Sequence, residues 1–430
     1  MIFNSSLEKY LFFNIPTLLF SLIPLFLITG PFLSDLSVSS ISLLFLIYCI
    51  KKNNFSYFKS KYFYFFLIFW IYLIINSLVN NFNFESLKIS FFYFRYGVFV
   101  IAIIAYLSVD SKFQKYFFYC IFFCFLSLIL DGFYQFFFEK NILGYELSVT
   151  KRVTSFFNNE MILGSYLSRL WPVFFGLSIY MIQQRNKLLF LLLFVFILSE
   201  VLIFISGDRV AFFYINLSAI FVILFSKKLK KLRLKILFTS LFLIVLISFI
   251  NPSAKERVID QTIIEMNLFN SDQKAVSKNQ IEENEIYIFT KVHTQYYISA
   301  YKMFLDNKLF GVGVRNFRNF CNNEKYKSEF SCSTHPHNTY IQILSEIGII
   351  GLLFILVPLA YFLKYLIKHI ALRFNGKYYF TDFEICILSG IAIYLWPFVP
   401  TGNVFNNWLN IAMILNLPFL VWSRNLKKQN

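Results

Sequence analysis

The chain has 430 residues, 58% of them hydrophobic and 21% aromatic, with only 15% charged residues and a formal net charge of +17. Soluble chains carry about 45–50% apolar and about 25% charged residues, so this composition excludes a cytosolic enzyme, a secreted disulfide scaffold and a disordered regulator. Lipid is the solvent for most of the chain.

Spanning segments in lipid are helices or closed barrels, because nothing there satisfies an open backbone. The apolar runs are continuous rather than alternating, which predicts helices. Twelve spans follow in chain order: 10–30, 32–50, 62–80, 91–109, 116–138, 161–181, 188–206, 210–226, 235–250, 340–363, 383–400 and 405–423. The second is rich in Ser, and the seventh and eighth form a tight hairpin around Ser206-Gly207-Asp208-Arg209. The expected fold class is all-α: a polytopic integral membrane protein of about 12 transmembrane helices with one large, partly helical loop. Residues 1–250 hold nine spans, 251–339 the loop, and 340–430 the last three. The first run is long and lacks a small-residue cleavage site, so it reads as a retained span rather than a signal peptide.

Lys and Arg set the orientation. One set of alternate loops holds 22 of the 40 Lys and Arg, among them Lys51, Lys61, Arg185, Lys230, Arg233 and Lys377, but only four of the 23 acids. The positive balance is thus a topology signal that places both termini in the cytoplasm. Charge scattered over short membrane loops does not suit a nucleic acid partner.

Residues 251–339 have the polarity of a small solvated domain, on the opposite side from the cations. A loop of this length among short ones is usually functional. Its first part, through Glu282-Glu283-Asn284-Glu285, is polar and expected to be mobile. In its second part Tyr296, Tyr297, Ala300, Tyr301 and Phe304 recur at helical spacing, a packing stripe by preference, and Asp306-Asn307 with Gly311 and Gly313 ends that helix. Cys321 and Cys332 are eleven positions apart in this loop. An oxidising compartment favours a disulfide between them, while Cys49, Cys120, Cys124 and Cys386 lie in spans as inert apolar residues.

Ionisable residues at membrane depth are costly and default to functional candidates. For Arg95, Asp131 and Arg169, structural pairing or snorkelling is the preferred reading. Arg209 opens a helix at the outer end of the hairpin, where it either faces an anion or pairs with Asp208 or Glu200. Further on, Gly311-Val312-Gly313 lacks the preceding strand and lysine of a phosphate loop, so no ATP site is expected. Arg315 and Arg318 follow it, three apart. Then His335-Pro336-His337-Asn338 immediately precedes an apolar helix. Pro336 suits a first helical turn, and the free N–H groups of that turn favour an anion. The two imidazoles lack a third ligand nearby, so no metal is expected. From the residues alone, a His at this boundary serves structure or catalysis equally well.

The order of these landmarks resembles the bacterial O-antigen ligase and O-antigen polymerase superfamily. They are Arg152-Val153-Thr154-Ser155-Phe156-Phe157-Asn158-Asn159, Ser206-Gly207-Asp208-Arg209, and Tyr301 to Asn307 leading into Gly311-Val312-Gly313. His335-Pro336-His337-Asn338-Thr339-Tyr340 and Glu346-Ile347-Gly348-Ile349-Ile350-Gly351 complete the series. The resemblance is specific from about 152 to 363 and rests on span count and topology elsewhere. It implies a metal-independent glycosyltransferase of the bacterial inner membrane, without a cofactor. The donor is a polyisoprenyl-diphosphate-linked glycan. The acceptor is a sugar or protein hydroxyl, such as a glycan or the lipid A core, on the periplasmic side.

The resemblance implies that His337 is the base on the acceptor, with His335 and Asn338 supporting it, and that Arg209 holds the donor diphosphate. A further family Arg usually lies several residues before the helix leading to the Gly-x-Gly turn. His293 stands at that place here, so His293, Arg315 or Arg318 takes the second diphosphate contact. The chemistry suits these residue types: an imidazole titrating near neutral pH accepts a hydroxyl proton, and a guanidinium binds phosphate oxygens in a fixed geometry. Polymerase and ligase share all these landmarks. Two other readings fit the spans, a transporter or flippase of lipid-linked glycans and a structural membrane protein. The first lacks a repeat of broken helices, and the second leaves His335-Pro336-His337-Asn338 unexplained.

Overall fold

A bilayer core contains no water, so each apolar run pairs its backbone internally and becomes a helix. The computed structural model describes residues 1–265 and 290–429, except 2, 81, 111, 149, 183–186, 251 and 331. The polar stretch through Glu282-Glu283-Asn284-Glu285 and the loop cation Arg185 lie outside the described residues. Among the described residues no strand forms, and one isolated bridge joins Lys140 and Glu146.

Each span expected from the sequence has a helical counterpart. The first five are α1 (Ser6–Thr29), α2 (Pro31–Lys51), α3 (Lys61–Val79), α4 (Phe84–Leu107) and α5 (Lys112–Phe138). Then come α6 (Leu163–Ile182), α7 (Lys187–Ile205), α8 (Arg209–Phe225) and α9 (Lys230–Ile250). The large loop contributes α10 (Lys291–Asp306). The chain closes with α11 (Thr339–Phe374), α12 (Asp382–Leu395), α13 (Asn407–Ile414) and α14 (Asn416–Gln429). Seven of the described helices, α1 to α5, α9 and α11, are long and apolar enough to cross a membrane, and α7 and α8 are shorter apolar helices. The protein is an all-α polytopic membrane protein.

At the centre lies α6, packed against α5, α7, α8 and α12. Its Leu167, Leu170, Trp171, Val173, Phe174 and Phe175 are fully buried, as expected for a helix apolar on every side and surrounded by protein. Polar groups at depth are paired. Arg95 bonds Asp35 at 2.7 Å. Asp131 accepts from the Ile142 N–H at 2.9 Å and the Ser155 hydroxyl at 2.6 Å, closing the loop after α5. Arg169 lies between the rings of Tyr214 and Tyr394.

Two boundaries differ from the sequence reading. The helix α9 begins five residues earlier than expected, at Lys230, and this carries Arg233 into the bundle. Arg233 is therefore not a loop cation: it is fully buried and bonds Glu200 at 2.6 Å. The helix α12 stops at Leu395 instead of 400, because Pro397 and Pro400 supply no N–H for a further turn. Residues 396–406 are irregular and fold over the loop that precedes α11.

Candidate active site

The helix α11 is two helices joined at Gly348, whose φ of 67° no residue with a Cβ adopts easily. The kink frees backbone groups of α11, and the chain after α10 takes them up. Val312 N–H donates to Ser345 O and Gly313 N–H to Glu346 O, each at 2.8 Å, while Ile349 N–H donates to Lys308 O at 2.9 Å. A Cβ on Gly311 or Gly348 would collide with the opposing backbone. The buried Glu346 carboxylate then accepts from the Arg315 and Phe317 N–H groups, both at 3.1 Å, and from Gln342 Nε2 at 2.9 Å. The Gly-x-Gly and Glu-Ile-Gly landmarks are thus two halves of one clamp that docks the loop on the bundle.

The same clamp sets the histidine segment at the head of α11. The Asn338 carboxamide oxygen accepts from Tyr340 N–H at 3.0 Å and Ile341 N–H at 3.2 Å, and its nitrogen donates to Pro397 O. This corrects two expectations. The helix starts at Thr339, so Pro336 precedes the first turn rather than occupying it. The N–H groups expected to favour an anion are already used by the Asn338 cap.

His337 has φ 55°, a left-handed conformation that costs a non-glycine residue about 1–3 kcal/mol. It is held there by Thr401, whose N–H donates to His337 O at 2.7 Å. Its Nε2 lies 3.0 Å from the Ser333 hydroxyl, and among the described residues no hydrogen bond reaches Nδ1. The His335 ring centre is 4.1 Å away, His293 meets the ring edge-on at 5.4 Å, and Tyr296 stacks on it at 5.4 Å. Both His335 nitrogens are occupied: Nε2 donates to Thr401 O at 3.1 Å and Nδ1 lies 2.9 Å from Thr334 Oγ1. His293 Nδ1 is 2.8 Å from Thr290 Oγ1, which also caps α10. Burial pushes all three imidazoles below their ordinary value. His293 falls to about 4 and His335 to about 3, with neighbouring cationic charge adding to burial, and His337 is lowered by burial alone. At neutral pH the three rings are uncharged.

The charge of Arg209 adds, after burial and His337, to what keeps His293 neutral. Neither expected partner holds Arg209. The Asp208 carboxylate caps α8 by accepting from Ala211 N–H at 3.0 Å, and Glu200 is paired with Arg233. Arg209 bonds Glu265 at 2.7 Å instead. Arg318 donates to Thr334 O at 3.1 Å and lies beside Arg315, whose charge adds to burial in lowering the Arg318 pKa. Among the described residues the Nε of each is buried without a hydrogen-bond partner. Cys321 and Cys332 are bonded, with Cα atoms 5.0 Å apart, next to Ser333. Of the expected helical stripe, Ala300 is buried, Tyr301 is largely exposed and Tyr296 faces His337.

Residues 188–356 match the family described as O-antigen ligase. The match supports a likeness of this segment to the O-antigen ligase/polymerase superfamily. No curated protein matches the chain. With its apolar helices, the match supports a bacterial integral membrane protein and a glycosyltransferase of ligase or polymerase type in polysaccharide biosynthesis.

Within the matched segment fall α8 to α10 and nearly all of α7, the clamp, the histidines, Arg209, Arg315 and Arg318. Among the described residues no group of three His, Cys, Asp or Glu is arranged to hold a metal ion. Two arginines that the sequence did not single out as site residues lie next to Arg209, and Arg152 is outside the matched segment. Arg152 and Arg257 flank Gly207, two residues before Arg209. Arg152 was visible only as the start of a landmark, and Arg257 carried no signal, since it belongs to no motif.

Proposed function

We propose that the protein transfers a glycan from a polyisoprenyl diphosphate to an acceptor hydroxyl at the end of the bundle opposite its cationic loops. The observation that carries this reading is an uncharged, part-exposed imidazole, His337, packed edge-on against His293, a ring on which the charge of Arg209 acts. A diphosphate-linked glycan places a leaving group of high negative charge next to an anomeric carbon. Arg209 meets that charge, in a part-buried setting where such contacts are stronger than in water. His337 takes the acceptor hydroxyl proton, the freed oxygen bonds to the anomeric carbon, and the bond from that carbon to the diphosphate oxygen breaks. The lipid diphosphate departs with the electron pair. One displacement inverts the configuration at that carbon.

The surrounding groups support these roles. Ser333 at Nε2 and Tyr296 on the ring face fix the His337 plane. His335, with both nitrogens used, packs against His337 and ties it to the 396–406 segment. The cationic ends of α2, α3, α5 and α9 face away from the site, which favours a periplasmic active site with cytoplasmic termini. His337→Ala is the direct test. Membrane insertion and folding should persist while transfer of a labelled glycan from lipid diphosphate falls by at least about 100-fold. Wild-type transfer by that variant refutes the base assignment.

A further inference from the structure

Three guanidiniums converge at the outer end of the α7–α8 hairpin. Gly207, with φ 64°, has no side chain, and the stems of Arg257 and Arg152 occupy that space. A Cβ at Gly207 would lie 3.1 Å from Arg257 Cδ and 3.3 Å from Arg152 Cγ. Arg152 Nε donates to Ser206 O at 2.8 Å, which ties its guanidinium to the hairpin tip, and its Nη1 lies 3.2 Å from Met161 Sδ. Arg209 follows two residues later. Two nearby carboxylates offset these three charges only in part: Asp208, which caps α8, and Glu265, which bonds Arg209. Among the described residues Arg257 has one weak hydrogen bond, Nη1 to Gln261 Oε1 at 3.4 Å, and its Nε is buried without a partner. Burial lowers the pKa of Arg152 and Arg257 and the neighbouring arginines add to this, with Asp208, and for Arg257 also Glu265, opposing it in part. Like charges gathered in a part-buried place repel unless an anion joins them.

We propose that Arg152, Arg209 and Arg257 form one cradle for the two phosphates of a lipid diphosphate, and that Glu265 is the carboxylate the diphosphate displaces. The proposal rests on the transferase reading and names residues that reading does not contain. One guanidinium suffices for a monophosphate. Three, arranged around a hairpin tip, match the greater charge and the several oxygens of a diphosphate. The Glu265 carboxylate bonds Arg209 through one oxygen from the segment Gln261–Glu265. Its removal leaves Arg209 ready for phosphate.

The test uses the purified full chain in detergent, titrated with undecaprenyl diphosphate and, separately, with undecaprenyl monophosphate. Wild type is expected to prefer the diphosphate. Arg257→Gln and Arg152→Gln should each weaken diphosphate binding by about 10-fold or more, the size expected for loss of a charge-assisted contact. Monophosphate binding should change by less than about 3-fold. Arg257→Lys should fall between, because it keeps charge and loses the fork. Glu265→Gln should tighten diphosphate binding, and this holds as an independent test if an arginine variant fails to fold. Diphosphate binding unchanged in Arg257→Gln, Arg152→Gln and Glu265→Gln overturns the cradle and leaves the transferase reading standing. A wild-type protein that binds no diphosphate overturns both.

Discussion

Glu346 touches no reacting group in the proposed mechanism, yet its removal should abolish activity. Glu346→Ala takes away the acceptor for the Arg315 and Phe317 N–H groups and for Gln342 Nε2. Gln342 Nε2 retains Asn403 Oδ1 at 3.1 Å, so the buried Phe317 N–H and the part-buried Arg315 N–H are stranded. Each stranded donor costs about 1–3 kcal/mol. Removal of a buried carboxylate returns part of that cost, leaving a net loss of about 3 kcal/mol. The penalty falls on the docking of the loop onto α11, and a loop undocked by that amount populates its competent state about 100-fold less. Glu346→Gln keeps one acceptor oxygen and should lose about half as much. The assay pairs thermal unfolding in detergent, followed by Trp fluorescence, with turnover of a lipid-linked donor. Both should fall in the order wild type, Gln, Ala. Wild-type stability and turnover in Glu346→Ala would refute the clamp. Unchanged stability with lost turnover and a shifted pH profile would make Glu346 a proton-transfer group instead.

Other outcomes follow from the same geometry. Gly348→Ala and Gly311→Ala should each destabilise the protein and abolish transfer, because a Cβ collides with the opposing backbone at positive φ; unfolding midpoints check this. Stability should fall with acid in a defined window. An unfolded imidazole titrates near 6.5, while His293 and His335 titrate at about 4 and about 3 when folded. The unfolded chain therefore binds protons first as pH drops. The contribution of these rings is complete above pH about 6.5 and is lost progressively towards pH about 4 and then about 3. Midpoints measured from pH 7.5 down to 4 should show this slope, and His293→Asn should reduce it. The acid limb of kcat/KM should lie below the ordinary His value, because burial lowers His337. Replacing Cys321 and Cys332 with Ser should destabilise the loop by about 2–3 kcal/mol through loop-closure entropy and lower transfer, since Cys332 adjoins Ser333; limited proteolysis with and without reductant reads it out.

The helices themselves were legible in the chain, because lipid makes apolar run length decisive and each helix closes its hydrogen bonds locally. The same holds for the cationic ends and for the clustering of His335, His337 and Asn338 at a helix start, where adjacency in sequence is adjacency in space. The pairing of Arg209 with Glu265, 56 positions away, was not legible. Neither were Arg233 drawn into the bundle by Glu200, the Asn338 oxygen used on its own helix, or Arg152 and Arg257 brought to Gly207. These depend on a kink at Gly348, a helix stopped by Pro397, and a hairpin tip bare enough to admit two side chains. Run length and composition are sums over neighbours along the chain, whereas the directions in which guanidiniums and carboxylates point are settled by contacts between distant segments that no local pattern encodes.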